Sequence, residues 1–165
     1  MLLQILQGTP LRIWALFGGL VCLGVAQARS RTIGSLRATL LPAVFVVLSL
    51  AGVVSAFGAN AIAVAAWALG VAASVATGPR LLPKMRATWQ AAGDSLHVAG
   101  SWLPLALIVS LFFVKYGAGV SLTIHPQLAM QTGFVVACSL AYGLFSGLFA
   151  VRGLQLWQVR RLARG

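Results

Sequence analysis

Lys115 is the one charge deep inside a series of apolar runs, and that pattern leaves the chain few ways to fold. A backbone in hydrocarbon must satisfy every N–H and C=O within the protein, so apolar crossings are helices or closed barrels. A helical crossing takes about 17–25 residues. Runs of that order cover about 10–27, 40–57, 61–77, 102–120 and 126–151. Only 8% of the 165 residues are charged and 60% are hydrophobic. Soluble domains carry about 25% charged residues, so this chain lacks the polar surface a water-soluble globule needs. The expected fold is an all-α integral membrane bundle of five transmembrane helices, one domain over residues 1–165.

The direction of the spans follows from the basic residues. Twelve Lys and Arg stand against one acid, a formal charge of +11. Arg29, Arg31 and Arg37 follow the first run, Arg80, Lys84 and Arg86 follow the third, and Arg152, Arg160, Arg161 and Arg164 follow the fifth. The connections around Gly58–Asn60 and Ser121–Gln127 have neither Lys nor Arg. The positive-inside rule then sets the N-terminus outside and the C-terminus inside, in a membrane crossed several times. Ala26-Gln27-Ala28 resembles the end of a secretory signal. Cleavage there would leave Arg29, Arg31 and Arg37 on the wrong side, so an uncleaved first span is expected. Bases that flank apolar runs suit anionic headgroups as partner, and no nucleic acid is expected.

Between the third and fourth runs, Leu82, Met85, Trp89 and Leu96 recur at spacings of three, four or seven. This predicts a short helix in the cytoplasmic interface over about 81–100. Trp89, Trp102 and Trp157 are expected at headgroup depth. Hydroxyls at Thr9 and Ser101 are placed to cap the first and fourth helices. Helices in lipid associate through small residues that let backbones approach. Ala66, Gly70, Ser74 and Gly78 form one such stripe, and Ser139, Gly143 and Gly147 another. They suit internal packing or a seam with a membrane partner or a second copy. Leu41-Pro42 and Leu103-Pro104 open the second and fourth runs alike, which suggests two similar hairpins after a lead helix.

Few polar positions can carry function. Lys115 either snorkels to the outer interface or faces the bundle as a cation for an anionic group. Tyr116 adjoins it and His125 follows in the outer connection, so the three are expected at one mouth. Asp94, the only acid, falls in a cytoplasmic connection, where a cap or surface ion pair is the expected role. A proton-driven pump needs a carboxylate within the spans, and none is present. His97 and His125 fall on opposite sides and cannot share a metal. Cys22 and Cys138 form no CxxC pair, and no serine has the His and acid of a catalytic triad. No catalytic residue, metal or cofactor is expected, and the chain is not expected to be an enzyme.

The stretch Gly100-Ser101-Trp102-Leu103-Pro104-Leu105 with Lys115-Tyr116 resembles an uncharacterised family of small proteobacterial inner-membrane proteins, a domain of unknown function. The opening Leu2-Leu3-Gln4-Ile5-Leu6-Gln7-Gly8-Thr9-Pro10 and the run Tyr142-Gly143-Leu144-Phe145-Ser146-Gly147-Leu148-Phe149 are similar to the same group. The resemblance implies an uncleaved multi-span protein and supplies no activity. The functional expectation is a non-enzymatic accessory, assembly or scaffold component. The alternative is a small carrier or channel-like protein for an anionic or zwitterionic solute, using Lys115.

Overall fold

A computed structural model describes residues 10–83, 87–90 and 95–164. The helices are α1 (Leu11–Ala28), α2 (Ser35–Phe57), α3 (Ala61–Leu81), α4 (Leu103–Ile124) and α5 (Thr132–Arg164). Short strands β1 (Arg31–Gly34), β2 (Ala87–Gln90) and β3 (Ser95–Val98) lie in the connections, and a 3-10 turn over Pro126–Met130 precedes α5. A helical bundle therefore forms. Among the described residues three helices, Ala61–Leu81, Leu103–Ile124 and Thr132–Val159 within α5, are long and apolar enough to cross a membrane. The apolar stretches Ile13–Ala28 and Pro42–Phe57 are shorter.

The chain divides into two compact units. One combines the N-terminal stretch up to Arg29 with Gly100–Pro126. In it α1 and α4 run antiparallel. The Ser101 N–H donates to the Gln27 carbonyl at 3.3 Å, Gly24 lies against Leu105, and Phe17 meets Phe112 and Phe113 at 4.6 and 5.8 Å between ring centroids. Pro10 holds the N-cap position of α1, with its carbonyl accepting from the Ile13 N–H at 2.9 Å. Thr9 lies outside the described residues. At the start of α4 the Ser101 hydroxyl accepts from the Leu103 N–H at 3.3 Å.

The other unit comprises Ser30–Ala99 and the chain from Gln127 onward. Here α2 and α3 form an antiparallel hairpin. Gly58 turns it with φ +70°, a value that L side chains rarely adopt. The Asn60 side chain then accepts from the Ile62 N–H at 2.9 Å and caps α3. α5 packs on both helices. Against α2 it is antiparallel: Phe57 meets Phe134 edge-on at 6.3 Å, Phe45 stacks on Phe149 at 4.9 Å, and Pro42 abuts Gly153. Against α3 it is parallel. A Cβ on Gly143 would strike the Trp67 carbonyl oxygen. One on Gly70 would lie 2.5 Å from the Leu140 oxygen, and one on Gly78 would lie 2.9 Å from Val151 Cγ2. The backbones are therefore in contact along the whole crossing.

The connections correct one expectation. Among the described residues beyond Leu81, no helix covers the segment up to 100. Instead β2 and β3 pair antiparallel there, and β1 joins from the connection after α1, giving the order β1-β3-β2. Pro83 ends α3. It has no N–H to continue a helix and keeps the preceding residue extended, and Leu82 is extended at φ −85°, ψ 137°. The three- and four-residue spacing of Leu82, Met85 and Trp89 was therefore accidental. Trp89 sits in β2, while Met85 is outside the described residues. The fifth helix also differs: it starts at Thr132 rather than Pro126 and continues past Val151 to Arg164. Of the two suggested hairpins, α2 and α3 share a unit, whereas α4 and α5 do not.

The α3–α5 crossing makes a direct prediction. Gly143→Ala should lower the unfolding free energy in mild detergent by about 1–3 kcal/mol, the usual cost of overpacking. Gly18, with nothing within 4 Å of an added Cβ, is the control. Gly18→Ala should leave stability unchanged or raise it, since Ala is the better helix former. Equal melting of the two variants would rule out backbone contact at Gly143.

Candidate functional site

Lys115 lies on α4, half-buried. Because α4 continues to Ile124, the residue is nine positions from the helix end, roughly 14 Å at 1.5 Å per residue. That is deeper than an end near 120 implies, and close to the middle of the helix. Tyr116 follows it, half-buried, with its ring stacked on Phe112 at 6.0 Å and 9°. With Trp14 and Phe17 of α1 and Phe113, these rings line one side of the α1–α4 pair. His125 is the exposed C-cap of α4, and its N–H donates to the Ser121 carbonyl at 2.8 Å. Ten residues of helix put it about 15 Å along the axis from Lys115. Lys115 and Tyr116 are thus adjacent, and His125 stands apart from them. Asp94 lies outside the described residues.

The small residues occupy the other unit. Ala66, Gly70, Ser74 and Gly78 are all buried on α3. Ser139, Gly143 and Gly147 are buried on α5. The two stripes face each other: Gly70 meets Gly143, and Gly147 meets Ser74 and Val71. Cys22 is exposed on α1 and Cys138 half-buried on α5, both as free thiols.

Around this crossing runs a polar network that sequence reasoning missed. The Trp67 indole N–H donates to Ser49 Oγ at 3.2 Å, and Ser49 Oγ donates to the Tyr142 carbonyl at 3.3 Å. Ser146 Oγ donates to that same carbonyl at 2.8 Å. Ser74 Oγ donates to the Leu144 carbonyl at 2.8 Å. Three helices are thereby joined through two carbonyls of α5, and Ser49 bonds across to a neighbour instead of to its own backbone. Serine at a helical position bears no mark of which carbonyl it will choose, so the sequence held no signal for this. Ser139 is fully buried, and its hydroxyl has no partner among the described residues. Arg152 was also misplaced. Read as part of a basic tail, it is only 6% exposed, because α5 runs on through it.

Over residues 1–164 the chain matches the family of unknown function DUF6622. It belongs to that family. No curated protein and no solved structure matches the chain. Family membership brings no activity, so a functional reading of this DUF6622 member rests on the two places just described. One is a cation beside stacked rings on α1 and α4. The other is a glycine crossing tied by hydroxyls on α2, α3 and α5. Among the described residues, no group of three His, Cys, Asp or Glu is placed to hold a metal ion.

The network predicts that Ser49→Ala destabilises the protein by about 1 kcal/mol, the scale of interhelical bonds in membrane bundles. Trp67→Phe, made in the same background, should add little, because both changes remove one shared bond. Thr123, bonded only to its own helix at Gly119, should tolerate Val. Denaturant titration of the three variants and the double mutant provides the check, and fully additive effects would dissolve the network.

Proposed function

We propose that this DUF6622 member is a five-span protein of the bacterial inner membrane, N-terminus outside and C-terminus inside, acting as a non-enzymatic accessory, assembly or scaffold component. The observation that carries the reading is the use of the polar atoms between α2, α3 and α5. Ser49, Trp67, Ser74 and Ser146 all serve helix–helix or helix-backbone bonds. A solute path needs polar atoms free to exchange partners, whereas these brace a rigid element. The directions of the helices support five alternating spans: α1 antiparallel to α4, α2 antiparallel to α3, and α3 parallel to α5.

Orientation also has support within the α2–α3–α5 unit. Contacts of Gly78 with Val151 and Pro42 with Gly153 bring the start of α2, the end of α3 and the later part of α5 to one level. The basic residues Arg37, Arg80 and Arg161 belong to that end. The opposite end carries Gly58, Asn60 and Gln131, without Lys or Arg. Reporter fusions after Asn60 should read outside, and fusions after Ala99 and at the C-terminus should read inside.

A second reading has one observation in its favour. Lys115 stands near mid-helix, where snorkelling is hard, and a carrier of an anionic or zwitterionic solute would use it there. One experiment separates the two. Native mass spectrometry from nanodiscs, wild type beside Lys115→Met, should show a defined second polypeptide on both forms if the chain is an accessory subunit. A small anionic ligand held by the wild type and lost in Lys115→Met, with no polypeptide bound, would replace the accessory reading with the carrier.

A further inference from the structure

The three strands arise from two connections far apart in sequence, and their register makes a surface that neither connection has alone. Thr32 of β1 is opposite His97 of β3, and His97 is opposite Thr88 of β2. All three are exposed. Directly opposed residues share a face of an antiparallel sheet, with Cβ atoms about 4.5–5.5 Å apart. The row is therefore a line of hydroxyl, imidazole and hydroxyl groups about 10 Å long, central strand in the middle.

Its depth follows from the helices. α3 has 21 residues, roughly 32 Å at the helical rise, which matches a hydrocarbon core of about 30 Å. β1 leads directly into α2 and α3 leads by way of Pro83 toward β2, so the sheet lies just beyond that core, in the headgroup layer. β2 also packs on α5. The charge is concentrated here. Arg31 is in β1, Arg80 is exposed in the last turn of α3, and Arg161 is exposed near the end of α5, 5.4 Å over the ring of Trp157. An aromatic and an arginine together are the usual furniture of a membrane interface.

We infer that the β1-β3-β2 sheet is a docking surface for anionic phospholipid headgroups, with Thr32, His97 and Thr88 as the row of donors and Arg80 and Arg161 as the accompanying cations. Phosphate oxygens accept from hydroxyl and imidazole groups, and the lipid's charge complements the basic end of the unit. The assignment rests on the membrane-spanning reading of α2, α3 and α5. It goes beyond a general attraction of bases to the bilayer, because it names a short sheet as the element that selects the headgroup.

The test uses the full chain in nanodiscs of phosphatidylcholine mixed with phosphatidylglycerol, with retained lipids weighed by native mass spectrometry. Wild type should retain phosphatidylglycerol in preference to phosphatidylcholine. Thr32→Val with Thr88→Val, and separately His97→Val, remove the donors with residues that keep strand preference. Each should lower that preference at least twofold. Arg80→Gln with Arg161→Gln should lower it by about fivefold per charge. No preference in the wild type, or an unchanged preference in any variant that folds, would overturn the proposal. Nanodiscs expose both leaflets, so the result does not depend on orientation, which the reporter fusions decide independently.

Discussion

Backbone contact between α3 and α5 is the constraint from which most of this fold follows. Lipid offers no hydrophobic reward for bringing two helices together, so the crossing depends on what the surfaces gain by approaching closely. Gly70 and Gly143 remove the side chains that would hold the axes apart. The Leu144 carbonyl then comes within reach of Ser74, and the Tyr142 carbonyl within reach of Ser49 on α2. The helices are parallel, and two parallel helices cannot be joined by a short turn. The chain between them must travel back along their length. α4 lies between them in sequence, and it packs with α1. Residues near 10–29 and 100–126 form one unit and the remainder another.

The sheet solves a separate problem at the ends of the helices. Connections carry backbone N–H and C=O groups that the helices leave unpaired, and strand pairing satisfies them. β3 has a partner on each side, and it draws them from different connections.

Much of the architecture was legible in the sequence, for a physical reason: bilayer thickness sets helix length, and apolar runs announce it. Helix starts and ends came within a few residues at α1, α3 and α4. The errors lie where periodicity was the only guide. Leu82, Met85 and Trp89 repeat as a helix would, yet Leu82 is extended ahead of Pro83 and Trp89 lies in β2, whose partner β3 takes a second partner, β1, some 60 residues upstream. No local pattern reports a partner at that range. Among the candidate positions, residue type pointed to Lys115 and Tyr116, which are neighbours on α4. Arg152 was assigned to a tail because charge usually marks the end of a span, whereas α5 keeps its helical course through that charge.

Lys115 and Arg152 are two cations within long helices, and the fold treats them differently. Gly78 beside Val151 puts Arg152 near the last turn of α3, where unpaired carbonyls and the negative end of the helix dipole favour a positive charge. Its burial is compatible with a structural role at the basic end of the unit. Lys115 has a different helix end beside it. The antiparallel pairing of Phe17 with Phe112 and Phe113 puts it level with the first turns of α1, the positive end of that helix and an unfavourable neighbour for a cation. The C-terminal end of its own helix is roughly 14 Å away. The two helix ends therefore bear on the two cations with opposite sign. A charge kept in a costly place within a span is a functional hypothesis by default, and this asymmetry makes Lys115, rather than the better-buried Arg152, the residue on which the choice between scaffold and carrier turns.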